Sequence, residues 1–215
     1  PGAFRFAGWF LRQRSSFFFF FYFALPHRRK WYEQNMRVLG IDIGFASLGW
    51  GILEGDGEKA DRFVACGVIE TEKTQGIAKA IDSELRALDI AREVETIIDR
   101  HGPFDRLHIE GVSWTRDAKV TGKIGMAFGI VFSAAARHRW IVNQFPPKTL
   151  KYRLTGSASA SKTTVLRVVS NLLPASVPTL KSLGYRREHA GDALGAALWG
   201  EAYLAKRREA ESDPP

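Results

Sequence analysis

The sequence predicts an α/β domain with a central mixed β-sheet of about five strands flanked by α-helices. Three observations carry this. β-forming residues crowd a strand–turn–strand run over 37–53, an amphipathic helical period fills 77–101, and an apolar strand follows at 104–112. A meander of strands, then a helix, then a further strand is how mixed sheets of this class begin.

The first strand spans 37–44, on the β-formers Val38, Leu39, Ile41 and Ile43. Residues 44–47 turn the chain, and 48–54 returns antiparallel. Gly55-Asp56-Gly57 marks the next turn, before a third strand over 62–71. In the helix at 77–101, Ile77, Ile81, Leu85, Leu88, Ile90, Val94, Ile97 and Ile98 recur at helical spacing, and Gly102-Pro103 stops it. A helix at 119–138 carries many small residues. It suits packing on its own sheet or, more sharply, a self-association face. A strand at 140–145 ends at Pro146-Pro147. A polar loop at 155–161 leads to a helix at 162–173, and 174–178 reads as irregular. The last helix spans about 188–206, with Ala190, Ala193, Ala196 and Ala197 as its packing face. Residues 36–208 form the domain, and 209–215 read as a disordered tail.

Residues 1–35 differ in character. They hold nine of the 15 phenylalanines and six basic residues against one acid, Glu33. Their longest apolar run, 17–25, falls short of the roughly 20 residues of a membrane helix. They read as translated upstream sequence before a natural start at Met36. An organellar or membrane-targeting leader and an ordered part of the fold are the alternatives. The one cysteine, Cys66, excludes an intrachain disulfide and fits a reducing compartment.

Charge is unevenly placed on a chain of net +8. From Ala118 to Arg187 there is no Asp or Glu, but there are 12 Lys and Arg. A carboxylate-free basic half points to a polyanion, nucleic acid first among them. Lys151, Lys162 and the Ser/Gly loop between them could grip a backbone phosphate.

Three acids stand in strongly apolar context: Asp42, Glu110 and Asp192. A bare carboxylate within a sheet needs a cation or a donor, because burying it unpaired costs several kcal/mol. His189 and Asp192, three apart, share a helix face. If the strands of Asp42 and Glu110 are neighbours and the last helix packs at their ends, the four side chains can converge as ligands for one or two Mg²⁺. Two such ions about 4 Å apart suit phosphodiester hydrolysis. Each residue taken singly also has an ordinary structural explanation.

From residue 37 to about 200 the chain resembles the RuvC family of Holliday-junction resolvases, in the ribonuclease H-like superfamily. Four pieces carry the resemblance in family order: Gly40-Ile-Asp-Ile-Gly44, Ile109-Glu-Gly-Val112, Thr155-Gly-Ser-Ala-Ser-Ala-Ser-Lys162 and His189-Ala-Gly-Asp-Ala-Leu194. The resemblance implies a homodimeric, Mg²⁺-dependent endonuclease, with two ions per site and Mn²⁺ able to substitute. Its substrate would be four-way DNA junctions, its setting the bacterial or phage cytoplasm, with no membrane and no small-molecule cofactor. By position, Asp42, Glu110 and Asp192 resemble the metal-binding carboxylates, and His189 a fourth ligand or proton-transfer group. Lys151 and Lys162 resemble the DNA-contacting lysines, and Lys148 and Arg153 join them as expected DNA contacts. The helix at 119–138 corresponds to the family's dimer interface. The family often has an aromatic three residues after the strand glutamate; here Ser113 holds that place, and Trp114 beside it could serve as the junction wedge. The competing readings are an actin-like ATPase or sugar kinase, a non-catalytic junction binder, and a nuclease for other branched DNA, RNA or RNA–DNA hybrid.

Overall fold

The computed structural model describes residues 36–56, 60–111 and 117–212. Trp114, expected at the DNA interface, lies outside the described residues. Five strands form one sheet in the order β3-β2-β1-β4-β5. They are β1 (Met36–Asp42), β2 (Ser47–Gly55), β3 (Ala60–Glu70), β4 (Arg106–Glu110) and β5 (Ile141–Phe145). The first three strands are an antiparallel meander, whereas β4 pairs parallel with β1 and β5 parallel with β4. The expected mixed sheet is therefore present, with β1 at its centre.

Helices cover both faces. On one side α1 (Lys79–His101) and α2 (Ala118–His138) close a core containing Leu39, Ile41, Leu107, Ile90, Val94 and Val131. On the other, α4 (Lys162–Leu172) and α6 (Arg187–Ser212) pack on Val38 and Leu53 through Val165, Val169, Leu194 and Ala197. α6 continues to Ser212, beyond the end expected near Lys206.

Two helices were not anticipated. α3 (Pro147–Thr155) begins on Pro147, whose fixed φ suits a first helical turn, and ends at Gly156 with φ 78°. It buries only Leu150 fully, too little to leave a periodic signature. α5 (Val177–Ser182) follows a 3-10 turn at Pro174–Ser176, where the sequence suggested irregular chain. The start of α1 also departs from its apolar pattern. Ile81, Leu85 and Leu88 are exposed, while Asp82 and Arg86 are buried. The acid and base satisfy one another: Arg86 Nη1 lies 3.6 Å from Asp82 Oδ2.

α2 is long and apolar enough, by length and composition alone, to cross a membrane. Its buried side, Ala127, Val131, Ala134 and Ala135, packs in the core. Its other side carries exposed Met126 and Phe132, while exposed Val120 continues the core-facing stripe beyond the core. Side chains built at Gly122, Gly125 and Gly129 would meet nothing within 4 Å, so these small residues line the open side and not the sheet contact.

α6 lies flush on the sheet because side chains are missing where the two meet. A Cβ at Gly40 would stand 2.1 Å from the Ala193 carbonyl oxygen, and one at Gly49 would stand 2.1 Å from that of His189. Ala193 and Ala197 keep the helix side equally thin, and both are fully buried. Gly40→Ala is expected to lower stability by about 3 kcal/mol in urea melts, since helix backbone cannot yield cheaply to an overpacked group. An unchanged midpoint would contradict this packing.

Candidate active site

β1 and β4 end together, with Asp42 the register partner of Glu110. Residues level with one another on parallel neighbours project to the same side. The two carboxylates thus meet at the carboxyl edge of the sheet. The flush seating of α6 brings its first turns over that edge. His189 Nδ1–H donates to Asp42 Oδ2 at 2.8 Å, and Asp192, one turn further, is 8% exposed. The half-buried Asp42 therefore has a partner, but it is an imidazole and not the lysine or arginine of an ordinary structural pair.

Charge around the acids is finely opposed. Burial, and then the nearby charges of Asp42 and Asp192, push Glu110 up to about 8. Burial, with Asp42 next, raises Asp192 to about 6. The hydrogen bond from Asp42 raises His189 above its usual value. Lys151 and Lys162 act the other way on both Glu110 and Asp192. Lys162 Nζ stands 3.6 Å from Asp192 Oδ2 and 3.9 Å from Glu188 Oε2.

The elements presenting these lysines are well terminated. The Ser161 side chain caps α4 by accepting from Thr164 N–H at 3.1 Å, and Thr155 Oγ1–H donates to the Lys151 carbonyl at 2.7 Å. The loop between α3 and α4 thereby fixes Lys151 and Lys162 relative to each other. The other two expected DNA contacts sit apart from the acids' immediate partners. Lys148 is exposed at the start of α3. Arg153 lays its guanidinium over Trp199, 5.0 Å from the ring centroid.

The four residues Asp42, Glu110, His189 and Asp192 are gathered at one edge, though not closed into a cage. Among the described residues, no three acid, histidine or cysteine side chains stand close enough together to hold an ion as they lie. The donor set still fits a hard divalent cation: carboxylate oxygens predominate, and burial, with the charge of Asp42 next, makes ionising Glu110 and Asp192 costlier without a cation.

Sequence reasoning missed a neighbouring network. Arg86 Nε donates to Thr71 Oγ1 at 3.0 Å, and its Nη2 donates to the Thr71 carbonyl at 3.1 Å. Thr71 Oγ1–H in turn donates to the Phe45 carbonyl at 2.6 Å. These bonds pin the turn that follows Asp42. The only signal in the sequence was an Asp82/Arg86 pair at i, i+4 within an otherwise apolar stripe.

The raised pKa values carry a consequence for stability. The folded chain holds protons on Glu110 and Asp192 that the unfolded chain releases, so this contribution to stability falls as pH rises from about 4 to 8. His189, also raised, has the same sign. Glu110→Gln should flatten the decline in the metal-free protein, measured by urea melts across that range. A parallel pH profile would refute the assignment of the burden to Glu110.

The profile of crossover junction endodeoxyribonuclease RuvC matches residues 38–199. The protein of that name from Sorangium cellulosum is 34% identical over 163 residues, covering 76% of this chain and 83% of its own length. That from Acidiphilium cryptum is 34% identical over 171 residues, covering 79% and 92%. Among solved structures, T. thermophilus RuvC in complex with Holliday junction substrate superposes with a TM-score of 0.62 at 27% identity, over 80% of this chain and 96% of that one. The yeast mitochondrial Holliday junction resolvase Ydc2, 13% identical with a TM-score of 0.55, shares the fold. The chain belongs to the RuvC family of crossover junction endodeoxyribonucleases, and its sheet and helices are of the ribonuclease H-like type.

Proposed function

We propose that this chain resolves four-way DNA junctions by metal-dependent phosphodiester hydrolysis. The observation that carries the reading is the meeting of Asp42 and Glu110 in register beneath His189 and Asp192, beside Lys151 and Lys162. Acids that repel one another gain from a cation, whereas a pure DNA binder gains nothing from carboxylates facing phosphate. Asp42, Glu110 and Asp192 hold the metal, and His189 is a fourth ligand or a proton-transfer group. We assign two Mg²⁺ to the site, with Mn²⁺ able to substitute; bound there, they supply Lewis-acid stabilisation of the phosphodiester and of the leaving oxygen.

The protein's own groups do the rest. Lys151 and Lys162 hold the phosphate, Lys148 and Arg153 extend the grip along the backbone, and Trp114 serves as the junction wedge. Asp42 orients the His189 ring, which can take the proton of the attacking water. The water oxygen forms the new bond to phosphorus while the bridging P–O bond breaks. Lys162 must leave Asp192 to meet the substrate, so phosphate and Asp192 compete for one ammonium.

Paired cuts need two sites related by symmetry, and we propose a homodimer through the open side of α2. Its exposed Met126 and Phe132, the bare glycines, and the exposed Leu85 and Leu88 of α1 leave an apolar surface that a second copy would cover. The single buried cysteine and the bacterial relatives fit a cytoplasmic location.

Residues 36–215 should nick a synthetic four-way junction in Mg²⁺ at two symmetric positions, and leave linear duplex, Y-fork and RNA–DNA hybrid largely uncut. Asp42→Asn should bind the junction as wild type does and lose cleavage by about 10³-fold or more. Equal cutting of forks or hybrid would move the function to a broader nuclease; tight binding with no cutting in Mg²⁺ or Mn²⁺ would make it a binder. Phe132→Glu should shift sedimentation from dimer to monomer and abolish paired nicks. A dimer that survives this change would place the interface elsewhere.

A further inference from the structure

A second feature lies beside the acid cluster. A cavity of about 430 Å³ opens between the β1–β2 turn, α1 and α2. Phe45, Val120 and Ile124 give it apolar walls, Lys73 and Lys123 stand on it as cations, and His189 is the wall it shares with the acid site. No acid lines it. Lys123 is half-buried, its Nζ 5.7 Å from the centre of the Phe45 ring. The Arg86 guanidinium covers the same ring at 4.8 Å. Because Arg86 is bonded to Thr71 and paired with Asp82, it serves as rigid wall and not as a free donor. Thr71 fixes the turn from both sides, donating its hydroxyl to the Phe45 carbonyl and its N–H to the Ala46 carbonyl at 2.9 Å. The cavity is therefore preformed.

Its position relative to the sheet decides its occupant. Lys162 begins α4, on the face of the sheet that packs against α6, and Lys151 lies on α3 beside it. The cavity lies on the opposite face, with α1 and α2. Asp42 and His189 stand at the edge between the two. A strand held by the lysines with a phosphate at Asp42 has to continue past His189, and the first enclosure it meets is this cavity. Cations at the mouth suit a phosphate, and apolar walls suit the flat face of a base. A free inorganic anion would have no use for the walls, and an apolar peptide none for the lysines.

We propose that this cavity is a nucleotide subsite that takes the nucleotide flanking the scissile phosphate on the side away from Lys151 and Lys162. Lys73 and Lys123 hold its phosphate, and Phe45, Val120 and Ile124 bound its base. The cavity then contributes to the choice of cleavage sequence through the fit of that base. The inference rests on the nuclease reading for which nucleotide is bound, but its test needs no cleavage.

Four-way junctions carrying 5-iododeoxyuridine at successive positions around the exchange point would be irradiated with residues 36–215 in EDTA, and the crosslinked peptides mapped. One position is expected to crosslink to Phe45 or to the 120–124 segment of α2. The double variant Lys73→Gln/Lys123→Gln should reduce that crosslink at least tenfold and lower the salt slope of junction binding by about two. Val120→Trp, which fills the cavity from an exposed position, should remove the crosslink while the junction still binds. Crosslinks confined to α3 and α4, with an unchanged salt slope in the double variant, would overturn the subsite even if the protein nicks junctions normally. A chain that crosslinks as expected but never nicks would end the nuclease reading and leave the subsite in place. Failure to bind the junction at all would end both.

Discussion

Everything at the sheet's carboxyl edge depends on how closely α6 lies against β1 and β2. Gly40 and Gly49 on the strands, with Ala193 and Ala197 on the helix, remove the side chains that would hold the two apart. A helix resting on ordinary side chains stands about 10 Å from a sheet, too far for short acids to share a partner. Here the spacing is set by backbone, and Asp42 reaches His189 directly. Small residues in the middle of the fold are thus a requirement of the chemistry at its edge.

The second constraint is electrostatic. Three carboxylates at the end of one sheet, two of them with strongly raised pKa values, are a cost that folding alone would remove. Lys151 and Lys162 offset part of it from one side, and the His189 imidazole takes one oxygen of Asp42. The arrangement is tense in a useful sense. A divalent cation bound there would relieve the repulsion among the acids, and a phosphate would give Lys162 a better partner than Asp192. On the proposed function, either ligand would improve the site for the other and couple metal loading to substrate.

Much of this was legible in the residues. Asp42 stood out as a charge within a β-forming run, and His189 and Asp192 shared a helix face by their spacing. The four family motifs then joined them to Glu110. The mixed sheet followed from the alternation of meander, helix and strand, while the adjacency of the Asp42 and Glu110 strands stood only as a condition that the structure meets. Where the reading failed, the cause was local. α3 has one fully buried leucine, so no period could announce it. At the start of α1, periodicity pointed inward with Ile81, Leu85 and Leu88, yet Asp82 and Arg86 are the buried pair. Charged residues on a helix are ordinarily assigned to solvent, and only a tertiary partner such as Thr71 reveals the exception. The same blind spot hid the cavity, since Lys123 and Phe45 are far apart in sequence. Small residues on α2 pointed to a smooth face, but not to which way it turned.

The central claim is that Asp42, Glu110, His189 and Asp192 form one metal site. Anomalous diffraction from crystals of residues 36–215 grown with Mn²⁺ tests it most directly. The account predicts a Mn²⁺ peak at the sheet edge where Asp42, Glu110, His189 and Asp192 gather, with Lys162 displaced from Asp192. A Mn²⁺-loaded crystal with no peak at that edge, or with the metal held elsewhere while the Asp42–His189 bond persists, would contradict it.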